Sequence, residues 1–178
     1  EHKEQIDIIQ ENVSRCAKIV HSLRFYAPTS QDQYSEQYLN DLVNRTLVLA
    51  QHQFDRDNIS IVTKLDSSIP SMICSRDQIM QVLINLLTNA CDAMPDGGEV
   101  TIETAYNPEQ QQLVIKVRDT GEGMPSEYLD QIEKPFFTTK PVGKGTGLGL
   151  FITSNIVRAH GGEITYESEP GKGTVVTV

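Results

Sequence analysis

The sequence predicts an α/β fold, a two-layer sandwich with a mixed, mainly antiparallel sheet that is preceded by a long N-terminal helix. Three observations predict it. Apolar residues recur at helical spacing over the first 27 residues, helical and alternating patterns follow one another in the rest of the chain, and all twelve glycines lie between Gly97 and Gly173. Because glycine permits sharp backbone bends, the loops that carry the chemistry should lie in this second half.

The N-terminal segment predicts one long amphipathic helix. Its apolar residues recur at three- and four-residue steps until Pro28 ends the pattern. A lone helix cannot bury such a narrow, nearly heptad stripe, which favours packing on a partner helix; packing on the chain's own domain is the alternative. The chain is therefore divided into a helix over 1–27, a polar linker over 28–37 and a main domain over 38–178.

The main domain alternates between helical and strand patterns. Ser75 is the predicted N-cap of its second helix, and Gly161 and Gly162 are predicted to end its last helix. The predicted helices are 38–54, 76–94, a short one after Pro125, and 148–160, and the predicted strands are 59–65, 99–106, 113–118, 163–167 and 174–178.

Composition excludes several classes of protein. The formal net charge of -9 argues against a nucleic-acid or anionic-membrane partner, because both surfaces would repel an acidic protein. Three cysteines without a CxxC pattern indicate neither a disulfide framework nor a zinc site. No apolar run reaches the ~20 residues that cross a bilayer. A cytoplasmic location is expected, and membrane attachment of the full-length protein would need segments outside this sequence.

The predicted helix 76–94 carries two asparagines, Asn85 and Asn89, four residues apart on one face. An amide oxygen is a ligand suited to Mg2+, which fills the rest of its octahedron with waters and phosphates. Taken alone, such a pair is more often a set of helix-surface or capping amides.

The segment 119–124, DTGEGM, follows a predicted strand directly. A carboxylate at a strand end can accept a hydrogen bond from an exocyclic amine such as that of adenine, and the two glycines let the backbone approach a flat ligand. An ordinary turn is an equally good interpretation of this segment alone.

The segment 143–150, GKGTGLGL, places four alternating glycines before a predicted helix. Free N–H groups at a helix N-terminus form a phosphate cradle. The spacing is neither GxGxxG nor GxxxxGK[ST], which excludes Rossmann and Walker motifs. A merely flexible loop is the alternative.

The segment 134–140, KPFFTTK, joins these pieces and predicts a mobile lid with a hydrophobic hinge. Together with Lys144 it supplies three lysines next to the glycines, which would compensate the charge of a triphosphate. Core phenylalanines and solvated lysines are the alternative.

In this order and spacing, the four segments resemble the N, G1, F and G2 boxes of sensor histidine kinase catalytic domains, which share the Bergerat-type fold of the gyrase, Hsp90, histidine kinase and MutL ATPase superfamily. The resemblance spans roughly residues 38–178. It implies that ATP and Mg2+ are the cofactors, that Asn89 binds the metal with help from Asn85, and that Asp119 recognises the adenine amine. It also implies that Thr174, in the weaker match GKGT, lies near adenine.

The predicted site is assembled from these matches and from the two lid lysines. Asn85 and Asn89 are the predicted metal ligands, and Asn89 and Lys140 the predicted catalytic residues. The predicted nucleotide-binding residues are Asn85, Asn89, Asp92, Asp119, Gly121, Gly123, Met124, Phe137, Lys140, Gly143, Lys144, Gly145, Thr146, Gly147, Leu148, Gly149 and Thr174.

Residues 1–27 resemble the second helix of the family's dimerisation and phosphoacceptor hairpin. None of the four histidines, His2, His21, His52 and His160, is followed by an acidic residue as the family's phosphoacceptor is. We therefore expect the substrate histidine to be missing from this sequence, the full-length protein to be a homodimer through the hairpin helices, and this fragment alone to be a monomer.

One position departs from the resemblance. Many relatives have a basic residue three positions after the second N-box asparagine, where this sequence has Asp92. Phosphate contact must then come from elsewhere, and our hypothesis is that Lys140 supplies it.

The resemblance implies transfer of the ATP γ-phosphate to a histidine and then to an aspartate of a response regulator receiver domain. An ATP-hydrolysing clamp of the same superfamily is one alternative, but it would need a glutamate on helix 76–94, and none is present there. A nucleotide-sensing module without catalysis is the other alternative.

Overall fold

A computed structural model describes residues 34–141 and 145–178. The helix predicted over 1–27 and the linker up to residue 33 lie outside the described residues. The elements follow in the order β1 (Tyr34–Gln37), α1 (Leu39–Arg56), β2 (Ile59–Leu65), β3 (Met72–Ser75), α2 (Arg76–Asp92), β4 (Gly98–Asn107), β5 (Gln112–Asp119), α3 (Ser126–Leu129), α4 (Gly149–Ala159), β6 (Thr165–Glu169) and β7 (Gly173–Thr177).

The structure is a two-layer α/β sandwich, which confirms the predicted fold class. Five strands form one sheet in the order β2-β4-β5-β7-β6. The pair β2–β4 is parallel, whereas β4–β5, β5–β7 and β6–β7 are antiparallel. Helix α2 packs against both α1 and α4, with α1 over β2 and α2 over β5. Helix α4 therefore borders the edge of the sandwich at which β5 and α2 end.

The core lies between α2 and the sheet. Seven residues of α2 are buried, at the three- and four-residue spacing of one helix face: Ile79, Val82, Leu83, Leu86, Leu87, Ala90 and Cys91. Val100 and Ile102 of β4 and Val117 of β5 meet them from the sheet. No helix of the described residues is long and apolar enough to cross a bilayer.

A second, two-stranded sheet is the main difference from the predicted elements. Residues 34–37, expected to end the linker, form β1 and pair antiparallel with β3, which the sequence did not predict. Strands of four residues are too short to show a reliable alternation. The pair is fixed by distant contacts instead: the ring of His160 stacks on Tyr34 with a centroid separation of 5.0 Å, and its Nε2 accepts a hydrogen bond from the Ser75 N–H at 3.1 Å.

Smaller differences concern the ends of elements, where shifts of one or two residues are usual. Helix α2 ends at Asp92, and Ala93 closes it by donating its N–H to the Asn89 carbonyl. Strand β6 begins at Thr165, two residues later than predicted. Ser75 does occupy the N-cap of α2, but its side chain is buried and makes no capping hydrogen bond.

Candidate functional site

A cleft of about 610 Å³ opens at the edge of the sandwich where α2, the loop after β5 and the start of α4 meet. Most of the predicted site residues face it. Its lining consists of Asn85, Thr88, Asn89, Asp92, Ala93, Glu122, Gly123, Met124, Tyr128, Ile132, Phe137, Thr138, Thr139, Lys140, Pro141, Gly145, Thr146, Gly147, Gly149, Leu150 and Thr174.

Helix α2 gives the cleft a polar wall. Asn85, Asn89 and Asp92 lie on successive turns of one face, beside the apolar stripe that fills the core. The Lys140 Nζ donates to Asn89 Oδ1 at 3.2 Å and forms an ion pair with Asp92 Oδ2 at 2.5 Å. Lys140 thus joins the segment before α4 to the C-terminal half of α2.

The Asn85 side chain ties α2 to α4. Its Oδ1 accepts a hydrogen bond from Gln81 Nε2 at 2.8 Å, and its Nδ2 donates to the Gly149 carbonyl and to Thr153 Oγ1, both at 3.2 Å. Thr153 is completely buried. Asn85 therefore has its amide engaged within the protein and holds the first residue of α4 at the cleft.

Asp119 ends β5 and lies behind the cleft wall. The residue is 6% exposed, and its Oδ1 accepts hydrogen bonds from the N–H groups of Gly121 at 2.9 Å and Thr174 at 3.1 Å. Burial raises the pKa of the Asp119 carboxyl above its ordinary value, although the two backbone donors act in the opposite direction. Among the hydrogen bonds of the described residues, both that reach this carboxylate end on Oδ1, and none ends on Oδ2.

Two glycines keep the loops around Asp119 and α4 in close contact. Gly173 has a φ of +92°, and a Cβ on it would lie 2.1 Å from the Asp119 carbonyl oxygen. Gly147 has a φ of +65°, and a Cβ on it would lie 2.3 Å from the carbonyl carbon of Phe136. Any other residue would push these backbone segments apart. The two glycines therefore determine the shape of the cleft by allowing close contacts between segments of the chain.

The segment before α4 turns one aromatic ring inward and one outward. Phe137 packs against Tyr128 of α3 with ring centroids 5.9 Å apart. Phe136 is 68% exposed and has a φ of +68°, held by its N–H donating to the Gly147 carbonyl at 2.8 Å. Phe137 is therefore part of the apolar wall of the cleft, and Phe136 is not a core residue.

This arrangement suits a ligand that has a flat ring at one end and polar groups at the other. A buried carboxylate and an apolar wall stand at one end, and amides, a lysine and the start of a helix stand at the other. Residues 74–178 match the family of histidine kinase-, DNA gyrase B- and HSP90-like ATPases. The chain belongs to that family. ATP is accordingly the nucleotide that this ATPase cleft is built to bind.

Relatives and solved structures place this ATPase domain among histidine kinases. Sporulation kinase C of Bacillus subtilis (strain 168) is 38% identical over 179 residues, which cover 100% of this chain and 41% of that protein. The catalytic domain of the histidine kinase ThkA, in a nucleotide-free form, is 32% identical with a TM-score of 0.69 and covers 81% of this chain and 94% of that one. ThkA in complex with the response regulator protein TrrA is 28% identical with a TM-score of 0.78, and the match covers 98% of this chain and 49% of that one. The chain spans less than half the length of the curated relatives it matches.

The ATPase cleft brings together most of the predicted residues but not all. Gly143 and Lys144 lie outside the described residues. Asp119, Gly121 and Leu148 do not line the cleft: Asp119 stands behind Thr174, and Leu148 is a core residue at 3% exposure. The predicted residues that line it are Asn85, Asn89, Asp92, Gly123, Met124, Phe137, Lys140, Gly145, Thr146, Gly147, Gly149 and Thr174.

Gly121, which the sequence predicts to let the backbone approach the ligand, lies against the end of α2. A Cβ on Gly121 would lie 2.4 Å from the Ala93 carbonyl oxygen, so the close neighbour of this glycine is the end of α2. Glu122, the next residue, donates its N–H to the same carbonyl at 2.9 Å. Gly121 thus shapes the ATPase cleft from behind, by docking the loop on the helix.

Sequence reasoning missed several lining residues. Thr88 lies three residues after Asn85 on the same helix face, and that spacing could have identified it. Tyr128 and Ile132 form an apolar wall from a short helix and the turns after it, where four helical residues show no usable periodicity. Glu122 and Leu150 lie within predicted segments but were not assigned.

Proposed function

We propose that this chain is the ATP-binding catalytic part of a two-component sensor histidine kinase, which transfers the γ-phosphate of ATP to a histidine on a phosphoacceptor helix. An aspartate in the receiver domain of a response regulator would then take the phosphate. The observation that supports this most is the meeting of Asn89, Lys140 and the start of α4 at one end of the cleft. The likeness to ThkA, solved both as a catalytic domain and with its response regulator, supports the same function.

At the adenine end, Asp119 is the proposed recognition residue. Its Oδ1 is held by two backbone donors, so the orientation of the carboxylate is fixed before a ligand arrives. The remaining oxygen can accept a hydrogen bond from the exocyclic amine of adenine, and Thr174 and Met124 border the same part of the cleft.

At the phosphate end, Asn89 fits a role as the protein ligand of Mg2+. Its Oδ1 already accepts a hydrogen bond from the ammonium of Lys140, so this oxygen is turned towards a cation within the cleft. The described residues contain no group of three His, Cys, Asp or Glu side chains that could form a metal cage. Mg2+ suits such a site because it takes few protein ligands and many from water and phosphate, and it would neutralise charge on the phosphates.

The residues of this chain would act by positioning and by charge. Asn85 holds the start of α4 at the cleft, where the positive end of the helix dipole would favour phosphate, and Lys140 would offer the phosphates an ammonium. Placing the γ-phosphate in line with an incoming histidine needs no nucleophile from this domain. An ATP-hydrolysing clamp of this superfamily needs a glutamate on α2 to activate water, and α2 has none.

The proposed assembly follows from the resemblance of residues 1–27 to a hairpin helix. The full-length kinase would be a homodimer through these helices, would lie in the cytoplasm, and would meet its response regulator there. The substrate histidine would be carried by the phosphoacceptor helix of the hairpin, which leaves the present residues with the nucleotide chemistry.

Phosphotransfer in trans tests the proposal. The chain is mixed with labelled ATP, Mg2+ and a separately produced phosphoacceptor hairpin of a histidine kinase relative, and label on the hairpin is counted. We expect labelling with the wild type, a loss of at least about a hundredfold with Asn89→Ala, and no change with Asn107→Ala, an asparagine at the far end of β4.

Two outcomes would contradict the proposal. Tight ATP binding without label on the hairpin would indicate a nucleotide-sensing module. ATP hydrolysis without label would indicate a clamp-type ATPase.

A Lys140→Ala protein that keeps full ATP affinity and full phosphotransfer would remove Lys140 from the proposed phosphate contacts.

A further inference from the structure

Carboxylates outnumber ammonium groups among the described residues that line the cleft. Of the described residues that line it, the charged ones are two carboxylates, Asp92 and Glu122, and one ammonium, Lys140. ATP carries several negative charges, and like charges in a partly desolvated cleft repel more strongly than they do in water. Nucleotide without an accompanying cation would therefore meet more negative than positive charge among these described residues.

The Lys140 ammonium, the one cation among the described lining residues, is already paired within the protein. The Lys140 Nζ lies 3.2 Å from Asn89 Oδ1 and 2.5 Å from Asp92 Oδ2, two oxygens presented by residues three positions apart on α2. An amide oxygen and a carboxylate oxygen facing one cation are the ligand types that hard divalent cations prefer. The lysine thus occupies a position suited to such a cation.

The ion pair is accessible enough to exchange. The Lys140 side chain is 31% exposed and that of Asp92 is 39% exposed. Partly exposed pairs are held weakly, because water screens them and long side chains lose entropy on pairing. An incoming metal–nucleotide complex can therefore displace the lysine from the carboxylate.

We infer that Asp92 makes nucleotide binding depend on a divalent cation, by pairing with Lys140 in the nucleotide-free cleft and with the cation carried by ATP in the loaded cleft. The exchange frees Lys140 for the phosphates. Asp92 is then a specificity-determining residue, which selects the metal–nucleotide complex over free nucleotide. The inference rests on the nucleotide site of the proposed function and adds a role for the acidic residue where many relatives have a basic one.

Binding measurements test the inference without any need for catalysis. The dissociation constant of a non-hydrolysable ATP analogue is measured by calorimetry in excess Mg2+ and again in EDTA, and the ratio of the two affinities gives the metal dependence. For Asp92→Asn we expect tighter binding of the metal-free nucleotide and a metal dependence at least about fivefold smaller, within the range typical of linked binding events. Asp96→Asn is the matched control, because it removes the same charge from an exposed turn residue that does not line the cleft.

The other half of the ion pair should respond in the opposite direction. Lys140→Met leaves Asp92 without its internal cation, so metal-free nucleotide should bind more weakly than to the wild type. Opposite shifts in the metal-free affinity from the two partners of one ion pair would not result from a merely structural contact. Should Asp92→Asn fail to give a cooperative thermal unfolding transition, the weaker metal-free binding expected for Lys140→Met decides the question.

Three results would overturn the inference. They are an unchanged metal dependence in folded Asp92→Asn, an equal shift in Asp96→Asn, or metal-free nucleotide that binds Lys140→Met as tightly as the wild type or more tightly. Each of these leaves the proposed function standing as long as the wild type binds the analogue. A wild type that binds the analogue under neither condition would remove both the inference and the proposed function.

Discussion

Asp119 brings a carboxylate into a position that is nearly closed to water at the end of β5. Burial disfavours the ionised form, which is why the pKa of this carboxyl is raised. A group whose folded pKa is raised adds stability while it is protonated, and that contribution is lost as the pH rises through the folded value. At neutral pH the ionised Asp119 carboxylate, the proposed adenine acceptor, is therefore kept at a cost in folding stability.

Replacement of Asp119 by asparagine should separate binding from stability. The amide oxygen can keep the two backbone donors of Gly121 and Thr174, while the amide nitrogen takes the place of Oδ2 and meets the adenine amine donor to donor. We expect Asp119→Asn to bind ATP at least about tenfold more weakly, since a hydrogen bond to a charged group contributes about 1.5–3 kcal/mol. We also expect it to unfold at a higher temperature than the wild type at neutral pH.

Calorimetric ATP titration and thermal unfolding over a pH series check both effects. The gain in unfolding temperature should shrink as the pH falls towards the ordinary carboxyl pKa of 3.8, where the wild type becomes neutral as well. Asp130→Asn, at an exposed position outside the cleft, should change neither quantity. A lower unfolding temperature for Asp119→Asn would refute the burial argument.

At the scale of elements, the turn between β6 and β7 presses against the end of β5. Gly171 and Gly173 both have positive φ, +77° and +92°, but their surroundings differ. A Cβ on Gly171 would meet nothing within 4 Å, whereas a Cβ on Gly173 would meet the Asp119 carbonyl oxygen. The two positions therefore allow backbone strain to be measured apart from steric overlap.

Alanine at the two positions should give different losses of stability. Gly171→Ala should lower the free energy of unfolding by about 1–2 kcal/mol, the cost of a left-handed backbone for a residue with a Cβ. Gly173→Ala should lower it by roughly 2–5 kcal/mol, because the overlap adds to that strain, and it should also weaken ATP binding by moving Asp119. Denaturant unfolding and ATP titration of both variants check this. Equal losses in the free energy of unfolding would mean that the contact at Gly173 does not contribute to stability.

On the scale of the whole molecule, β1 joins the chain before residue 38 to the catalytic domain. The ladder β1–β3 has four residue pairs, and β3 runs directly into α2. The reference is a protein without residues 1–33, which keeps β1. Removal of residues 1–37 should lower the free energy of unfolding by about 2–4 kcal/mol, since each lost hydrogen bond contributes about 0.5–1.5 kcal/mol.

Thermal unfolding of the two truncated proteins, each with and without ATP, measures this difference. The shorter protein should also bind ATP more weakly, because β3 supports the first turn of α2. Equal stability of the two proteins would show that residues 34–37 behave as linker, as the sequence predicts.

The sequence predicted what depends on local pattern. The apolar stripe of α2, the alternation in β5 and the glycine-rich start of α4 all lie where their spacing placed them. It did not predict β1 and β3, whose pairing is set by contacts with His160, 85 residues beyond Ser75 in the chain. The site divides in the same way: the position of Lys140 near the glycines could be foreseen, but its pairing with Asp92, 48 residues away, depends on how the segments fold over α2.

One face of helix α2 packs in the core and another lines the cleft. Ligand binding and folding therefore depend on the same helix. Nucleotide that binds only the assembled cleft shifts the folding equilibrium by mass action, by about 2.7 kcal/mol when its free concentration is a hundredfold above the dissociation constant. That is a large share of the free energy of unfolding of such domains, which is roughly 5–15 kcal/mol. A fall in nucleotide concentration would therefore leave the cleft empty and would also make the protein more susceptible to proteolysis.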